Sequence, residues 1–202
     1  MADKKSLLNP FPGLRPFQSD EEHLFFGREN QTLELLQILR DNRFVGVIGT
    51  SGSGKSSLVR CGLLSELYGG SFLDAGTDWE VAVMNPGGGP FSQLSKALVG
   101  ADIYDSEEDD IHLKLNATLR RSRLGLVEAI RQSDLPKGTN VLLVVDQFEE
   151  IFRYSEAGEE EGEAADDFVS MILEAAKQSS IPIYVIITMR SDYIGDCSKF
   201  EG

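Results

Sequence analysis

Residues 49–56, with the sequence GTSGSGKS, constrain the fold of this chain more than any other segment. An apolar run over residues 44–48 precedes them, and a helical pattern over residues 55–68 follows. Glycines in such a loop let backbone N–H groups turn toward an anion, and the N-terminus of the following helix adds partial positive charge. The segment therefore predicts a phosphate-binding loop between a buried strand and a helix.

The side chains of this loop predict how a nucleoside triphosphate and Mg²⁺ are bound. Lys55 brings a positive charge to the β and γ phosphates, and the hydroxyl of Ser56 ligates Mg²⁺. We expect contacts to the nucleotide from Ser51, Gly52, Ser53, Gly54, Lys55, Ser56 and Ser57. Between a strand and a helix, this pattern predicts a P-loop nucleoside triphosphatase.

Asp146 is the second candidate ligand of Mg²⁺. It follows the apolar run 141–145, which predicts a strand buried on both faces. An aspartate at that place lies at the carboxyl edge of the sheet, where folds of this type bind their ligands. We expect Asp146 to hold Mg²⁺, through water or directly.

Glu149 is the candidate for orienting an attacking water. The residue directly after Asp146 is Gln147, which cannot act as a base. If the chain stays extended, residues 147 and 149 point to the same side, because side chains alternate along a strand. We therefore predict that Glu149 positions the water, with Glu150 in reserve. A solvated acidic helix start is the alternative for both glutamates.

The apolar run 183–188 ends next to a further candidate, Arg190. Thr188 or Arg190 at this strand end can report the state of the γ phosphate, by a hydrogen bond or by charge. A structural arginine in a salt bridge is the alternative for Arg190. We place Arg190 with Lys55, Asp146 and Glu149 in the predicted catalytic set.

Strands alternate with helices along the chain, and the strands are apolar on both faces, which predicts a parallel sheet covered on both sides. The predicted fold class is α/β: a P-loop NTPase, a three-layer αβα sandwich with a mainly parallel sheet. We divide the chain into a proline-containing lead-in, residues 1–27, packed on the core, and a P-loop NTPase domain, residues 28–202. Predicted strands cover 44–48, 79–84, 141–145 and 183–188, and predicted helices cover 29–40, 55–68, 91–99, 124–131 and 164–177. The polar stretch 101–118 is predicted to be an excursion from this pattern.

Composition excludes several classes of function. The net charge of −14 disfavours nucleic-acid binding, which depends on Lys and Arg neutralising phosphates. The two cysteines, Cys61 and Cys197, form neither a disulfide scaffold nor a zinc site. No run approaches the ~20 apolar residues of a membrane span, and we expect a cytoplasmic protein without membrane contact.

Five segments together resemble the novel STAND NTPases, a branch of the signal-transduction ATPases with numerous domains. They follow one another in family order over residues 9–193. The segments are NPFPGLRPF at 9–17, FGRE at 26–29, TSGSGKSSL at 50–58, DQFEE at 146–150 and TMR at 188–190. The NPG sequence at 85–87 looks like a further family feature.

The resemblance implies a STAND-type core that binds ATP or ADP with Mg²⁺, with Gly27 and Arg28 beside the adenine. It implies a regulatory switch that couples sensor and effector domains outside this chain, in signalling or in defence against phage. Family members continue beyond the fourth strand, so we expect a C-terminally truncated fragment. We expect this fragment to be monomeric, with weak or no hydrolysis, whereas the full-length protein assembles on activation.

Two functions stay open at this point, and two others are disfavoured. The first is a regulatory ATPase switch, and the second is a nucleotide-binding interaction module that never hydrolyses, which Gln147 and the truncation favour. A kinase would need an arginine-rich lid, whereas residues 101–118 are acidic. A GTPase is disfavoured because the guanine-reading Asn-Lys-x-Asp sequence is absent.

Overall fold

The computed structural model describes residue 13 and residues 15–70, 78–104 and 110–200. Most of the lead-in motif at 9–17 and the acidic residues 105–109 lie outside the described residues. In the described part, a 3-10 helix, Ser19–Leu24, comes first, and a second one, Ser191–Lys199, comes last. The α/β core lies between them.

Four parallel strands form the central sheet. They are β1 (Phe44–Gly49), β2 (Trp79–Met84), β3 (Asn140–Val145) and β4 (Ile183–Arg190). Their order across the sheet is β1-β4-β3-β2, and each neighbouring pair is parallel. Because β4 lies between β1 and β3, the carboxyl ends of these three strands meet at one edge of the sheet. This edge receives both the glycine-rich loop and Asp146.

Helices cover both faces of the sheet, which confirms the three-layer αβα sandwich. On one face lie α1 (Glu29–Asp41) and α2, the continuous helix over residues 55–68. Their buried leucines contact the β3 and β4 side chains of that face. The opposite side chains of β3 and β4 pack against the second helical layer. This layer contains α3 (Pro90–Gly100), α4 (Ile111–Leu119), α5 (Gly125–Gln132), α6 (Glu150–Ser155) and α7 (Glu159–Lys177).

Three helices correct the sequence-based expectations, and two of them, α4 and α6, lie outside every predicted helix. The stretch 101–118 was expected to be an excursion, but most of its second half belongs to α4. Ile111, Leu115 and Leu119 stand four residues apart and form one buried stripe, a helical spacing that the polar neighbours obscure. Helix α7 begins at Glu159 rather than at residue 164, because its acidic first turn is favourable at the positive end of the helix dipole.

The described part of the lead-in contacts the core beside the phosphate-binding loop. The backbone N–H of Phe17 donates a 3.1 Å hydrogen bond to Oγ of Ser57, at the start of α2. The Phe17 ring packs edge-on against Phe25, with 5.8 Å between the ring centroids. The division of the chain at residues 27 and 28 stays a prediction. Nowhere in the described ranges is there a helix both long and apolar enough to cross a bilayer.

Candidate functional site

The glycine-rich loop leads from β1 into α2 through residues with left-handed backbone conformations. Gly52 has φ +73° and Gly54 has φ +85°, and a Cβ atom at either position would meet nothing within 4 Å. Backbone conformation rather than lack of space therefore accounts for these two glycines. The ammonium group of Lys55 donates hydrogen bonds to the carbonyls of Gly49, at 3.0 Å, and Thr50, at 2.9 Å. The Lys55 side chain thus lies along the predicted phosphate-binding loop.

Asp146 is the centre of a buried polar network. Its Oδ1 accepts hydrogen bonds from the hydroxyls of Ser56, at 2.7 Å, and Thr188, at 2.6 Å. Its Oδ2 lies 3.0 Å from Nη2 of Arg60. The residue is 5% exposed. One carboxylate therefore joins the start of α2, the end of β3 and the end of β4.

The chain does not stay extended after Asp146, so the parity argument for Glu149 is wrong in its premise. Strand β3 ends at Val145, and Gln147 takes φ +58°, the left-handed region that few non-glycine residues adopt. The N–H of Gln147 donates a 3.0 Å hydrogen bond to Oγ1 of Thr188. This contact holds the turn against β4.

The same turn places Glu149 at the loop by another route. Glu149 is 7% exposed, and its Oε2 accepts a 3.2 Å hydrogen bond from the backbone N–H of Arg190. The reserve candidate, Glu150, instead forms a 3.1 Å ion pair with Arg153 within α6. Of the two glutamates, Glu149 is the one that lines the cavity at the loop.

The guanidinium of Arg190 is paired with a neighbouring carboxylate. Its Nη2 lies 2.5 Å from Oδ2 of Asp192, and its Nε donates to Oδ1 at 3.1 Å. This hydrogen-bonded pair raises the pKa of Arg190 and lowers the pKa of Asp192. Arg190 is thus salt-bridged and also lines the cavity at the loop, and its role toward the γ phosphate stays a prediction.

Two adjoining cavities flank the loop. The larger, about 610 Å³, is called the loop cavity here, and the smaller, about 380 Å³, is called the aromatic cavity. Predicted site residues that line the loop cavity are Ser51, Gly52, Gly54, Lys55, Ser56, Ser57, Glu149 and Arg190. The aromatic cavity is lined by Phe17, Phe25, Phe26, Arg28 and Ser53, among others.

The two residues predicted to lie beside the adenine take different positions. Arg28 lines the aromatic cavity, and its Nη2 donates a 3.2 Å hydrogen bond to the carbonyl of Ser53. Gly27 lines neither cavity; it has φ +81°, and its N–H donates to Oε1 of Glu29 at 2.9 Å. Gly27 is therefore the turn that leads the chain into α1.

Sequence reasoning missed two contacts of this site. Arg60 pairs with Asp146, and the available signal was its position four residues after Ser56, on the same face of α2. Asn85, at the end of β2, donates from Nδ2 to Oε1 of Gln147 at 2.7 Å. The NPG sequence at 85–87 was noted, but the contact of its Asn85 with Gln147 could not be predicted because it depends on the turn at Gln147.

The donor set at Asp146 fits Mg²⁺ bound together with a nucleotide. Mg²⁺ prefers hard oxygen ligands and is commonly held by one or two carboxylates plus substrate phosphates. Ser56 and Asp146 supply a hydroxyl and a carboxylate whose oxygens are 2.7 Å apart. Over the described ranges, no group of three or more His, Cys, Asp or Glu residues that could hold a metal by itself occurs.

Comparisons with known proteins bear on the fold and the family. No curated protein sequence matches the chain. Among solved structures, the chain is similar to the Aeropyrum pernix ORC2 protein in its ADPNP–ADP complexes, with 11% identity and a TM-score of 0.52. The match covers 88% of this chain but 47% of the ORC2 chain, so this chain spans about half of that length. At this identity the likeness shows the fold alone.

A family model spans nearly the whole sequence. The model of novel STAND NTPase 1 matches residues 10–202, a range that includes the glycine-rich loop, Asp146 and Arg190. The chain therefore belongs to the novel STAND NTPase 1 family, a family of P-loop nucleoside triphosphatases.

Proposed function

We propose that this chain binds ATP with Mg²⁺ and hydrolyses it slowly, as the switch domain of a larger signalling or defence protein. One observation carries the proposal. At the carboxyl ends of β1, β3 and β4, Lys55 on the glycine-rich loop and the Ser56 hydroxyl line one cavity, and the buried Asp146 carboxylate lies directly behind that hydroxyl. A cation, backbone donors and hard oxygen ligands are the groups that a metal-bound triphosphate requires.

The two cavities give the nucleotide an orientation. We place its phosphates in the loop cavity, on the backbone N–H groups of the loop and on Lys55. The base then lies in the aromatic cavity, where the Phe26 ring can stack on it and Arg28 lies alongside. Because the cavities share Gly52 and Gly54, one ligand can occupy both.

Ser56 and Asp146 would hold Mg²⁺ in this arrangement. When bound, the ion neutralises charge on the β and γ phosphates. The Ser56 hydroxyl donates its hydrogen bond to Asp146, so the lone pairs of the Ser56 oxygen remain available to a cation. Asp146, already engaged by three donors, is better suited to orient Ser56 and ligand waters than to be a direct ligand.

Hydrolysis is assigned to Glu149. The Arg190 N–H holds Oε2 of Glu149 at the end of β4, so Oε1 is the atom that accepts a hydrogen bond from the attacking water. Arg190 lies at the same cavity and supplies positive charge near the γ phosphate, at the expense of its pair with Asp192. The water would thus be oriented by a carboxylate three residues after Asp146.

Gln147 supports a second candidate function, a module that binds nucleotide without hydrolysing it. It directly follows Asp146, and its side-chain amide cannot take a proton from water. Asn85 donates a hydrogen bond to the oxygen of that amide. Single-turnover hydrolysis of bound ATP by Glu149→Gln separates the two candidates, with Glu150→Gln as the matched control. A switch loses turnover in Glu149→Gln alone and keeps ATP bound, whereas a binding module shows the same low turnover in both variants.

Thermal melting with nucleotides tests the binding site itself. A ligand at a hundredfold excess over its dissociation constant stabilises the folded state by ~2.7 kcal/mol. We expect a rise of several degrees with ATP or ADP plus Mg²⁺, no rise with GTP, and loss of the effect in Lys55→Ala. The control is Lys177→Ala, which removes an exposed lysine at the end of α7. No rise with any nucleotide would overturn the proposal for this chain.

The switch role places sensor and effector domains outside this sequence. We propose a monomer for the present chain and assembly of the longer protein on ATP binding, in the cytoplasm. Sedimentation of this chain with ATP and with ADP tests the first part, since a nucleotide-dependent dimer of the isolated chain would contradict it.

A further inference from the structure

Arg60 lies beside Asp146 and Ser56, the two proposed holders of Mg²⁺, but it belongs to none of the sequence motifs described above. The Asp146 carboxylate accepts two hydroxyl hydrogen bonds on Oδ1, from Ser56 and Thr188, and one from the Arg60 guanidinium on Oδ2. A buried carboxylate needs a compensating cation or it is strongly disfavoured. In the described structure, Arg60 is the cation paired with Asp146.

Helix α2 directs Arg60 to this place. Ser56 and Arg60 are four residues apart and lie on one face, so both reach the end of β3. Arg60 falls within a π-helical segment, Leu58–Leu63, a departure that is frequent at functional sites. The segment is packed closely on α1, because a Cβ atom on Gly62 would lie 2.5 Å from Oγ1 of Thr32. The position of Arg60 is therefore set by helix packing as well as by its charge.

A single hydrogen bond joins the Arg60 guanidinium to Asp146. A structural arginine commonly binds a carboxylate through two parallel hydrogen bonds. Arg60 instead donates one bond, from Nη2, to Asp146. Its Nε is buried and has no hydrogen-bond partner among the described residues, and the side chain is 28% exposed.

We propose that Arg60 is a counter-ion that prevents Asp146 from binding bare Mg²⁺, so that the site takes up the metal only together with a nucleotide. The pair of Asp146 and Arg60 is neutral and attracts a divalent cation weakly. A triphosphate on the loop adds several negative charges and restores the attraction. The inference rests on the proposed Mg²⁺–nucleotide site, but its test requires no nucleotide.

The test is a titration of MgCl₂ at constant ionic strength, read by thermal melting without nucleotide. We expect no specific rise for the wild type. Arg60→Met leaves Asp146 uncompensated, so it should melt lower without Mg²⁺ and gain stability as Mg²⁺ is added. At a tenfold excess over the dissociation constant the rise is about 3–6 °C for a domain of this size. The rise should vanish when Asp146→Asn is added.

Three further variants keep the test decisive. Arg60→Lys retains the charge and should resemble the wild type, whereas Arg40→Met removes an exposed arginine of α1 and should not create a Mg²⁺ response. If Arg60→Met does not fold, Arg60→Gln keeps a donor to Asp146 without the charge and is titrated in its place.

Two outcomes would overturn the role of Arg60: a folded, charge-free variant without a Mg²⁺ response, or a wild type that responds equally. Failure of the nucleotide site itself is recognised separately, by the absence of an ATP shift in the wild type. A purely structural arginine would lower the melting temperature in every buffer and create no response to Mg²⁺.

Discussion

The loop cavity and the aromatic cavity adjoin the same glycine-rich loop but are built from different parts of the fold. Behind the loop cavity, Asp146 is 5% exposed and joins α2, β3 and β4. In the aromatic cavity, Phe26 is 75% exposed and lies in the turn before α1. One region is part of the core, and the other lies on its surface.

This difference separates stability from affinity. A change near Asp146 alters both, because its polar partners lose their hydrogen bonds in the folded protein whether or not a ligand is bound. A change at Phe26 alters affinity alone, since an exposed side chain contributes little to folding. The four variants below test that contrast, from the largest expected effect to the smallest.

Asp146→Ala should have the largest effect on stability. It leaves the Arg60 charge and the Ser56 and Thr188 hydroxyls without their acceptor. Breaking a buried ion pair by removing one partner costs about 3–5 kcal/mol, and the partial exposure of Arg60 favours the lower end, ~3 kcal/mol. Urea unfolding measures this loss. Asp41→Ala, at an exposed position of α1, should change the free energy of unfolding little.

Thr188→Val tests the same network with a side chain of nearly equal shape. The hydroxyl donates to Asp146 and accepts from the N–H of Gln147, and the residue is 1% exposed. Leaving buried polar groups without partners costs about 1–3 kcal/mol. The same urea measurement applies, with Thr118→Val on α4 as the control. A cost equal to that of the control would mean that the turn at Gln147 is held by other contacts.

The elements of the core were predictable because their signals are local. A run such as 141–145, apolar at each position, indicates a buried strand by itself, and the glycine-rich loop needs no distant partner to be identified. The neighbourhood of Ser56 and Asp146 follows, because the carboxyl ends of parallel strands share one edge of the sheet. Their contact at 2.7 Å agrees with that expectation.

The remaining features depend on geometry that a sequence pattern does not carry. The left-handed conformation of Gln147, unusual for a non-glycine residue, brings Glu149 to the end of β4 by a turn rather than by strand parity. Arg60 shares a helix face with Ser56, but its pairing with Asp146 depends on how that helix packs beside the end of β3, which the spacing alone does not give. Helix α4 was missed because its apolar stripe follows the acidic run 105–110.

Phe26→Ala should affect ATP affinity while leaving stability nearly unchanged. Stacking of aromatic rings contributes about 1 kcal/mol, so the dissociation constant should rise roughly fivefold. Titration with a fluorescent ATP analogue measures the affinity, and a melting curve without ligand measures the stability. Leu113→Ala on α4, where Leu113 is 69% exposed, is the control. Unchanged affinity for Phe26→Ala would remove the base from the aromatic cavity.

Glu21→Gln should have the smallest effect. It removes the ion pair between Glu21 and Arg15 in the described part of the lead-in, beside the phosphate-binding loop. Hydrogen bonds from Arg15 and from the N–H of Gln18 lower the pKa of Glu21 from 4.5 to about 2. Since the folded-state pKa is the lower one, the stabilisation is fully present above pH 4.5 and disappears as the pH falls toward 2.

The wild type should therefore melt slightly above Glu21→Gln at pH 6, and the difference should shrink between pH 5 and pH 3. Because the Arg15 side chain is 51% exposed and the Glu21 side chain 19% exposed, added salt should reduce the difference in part. A difference that stays constant from pH 6 to pH 3 would show that the Glu21 charge does not hold the lead-in. The lead-in side of the loop cavity would then be held by the hydrogen bond from Phe17 to Ser57.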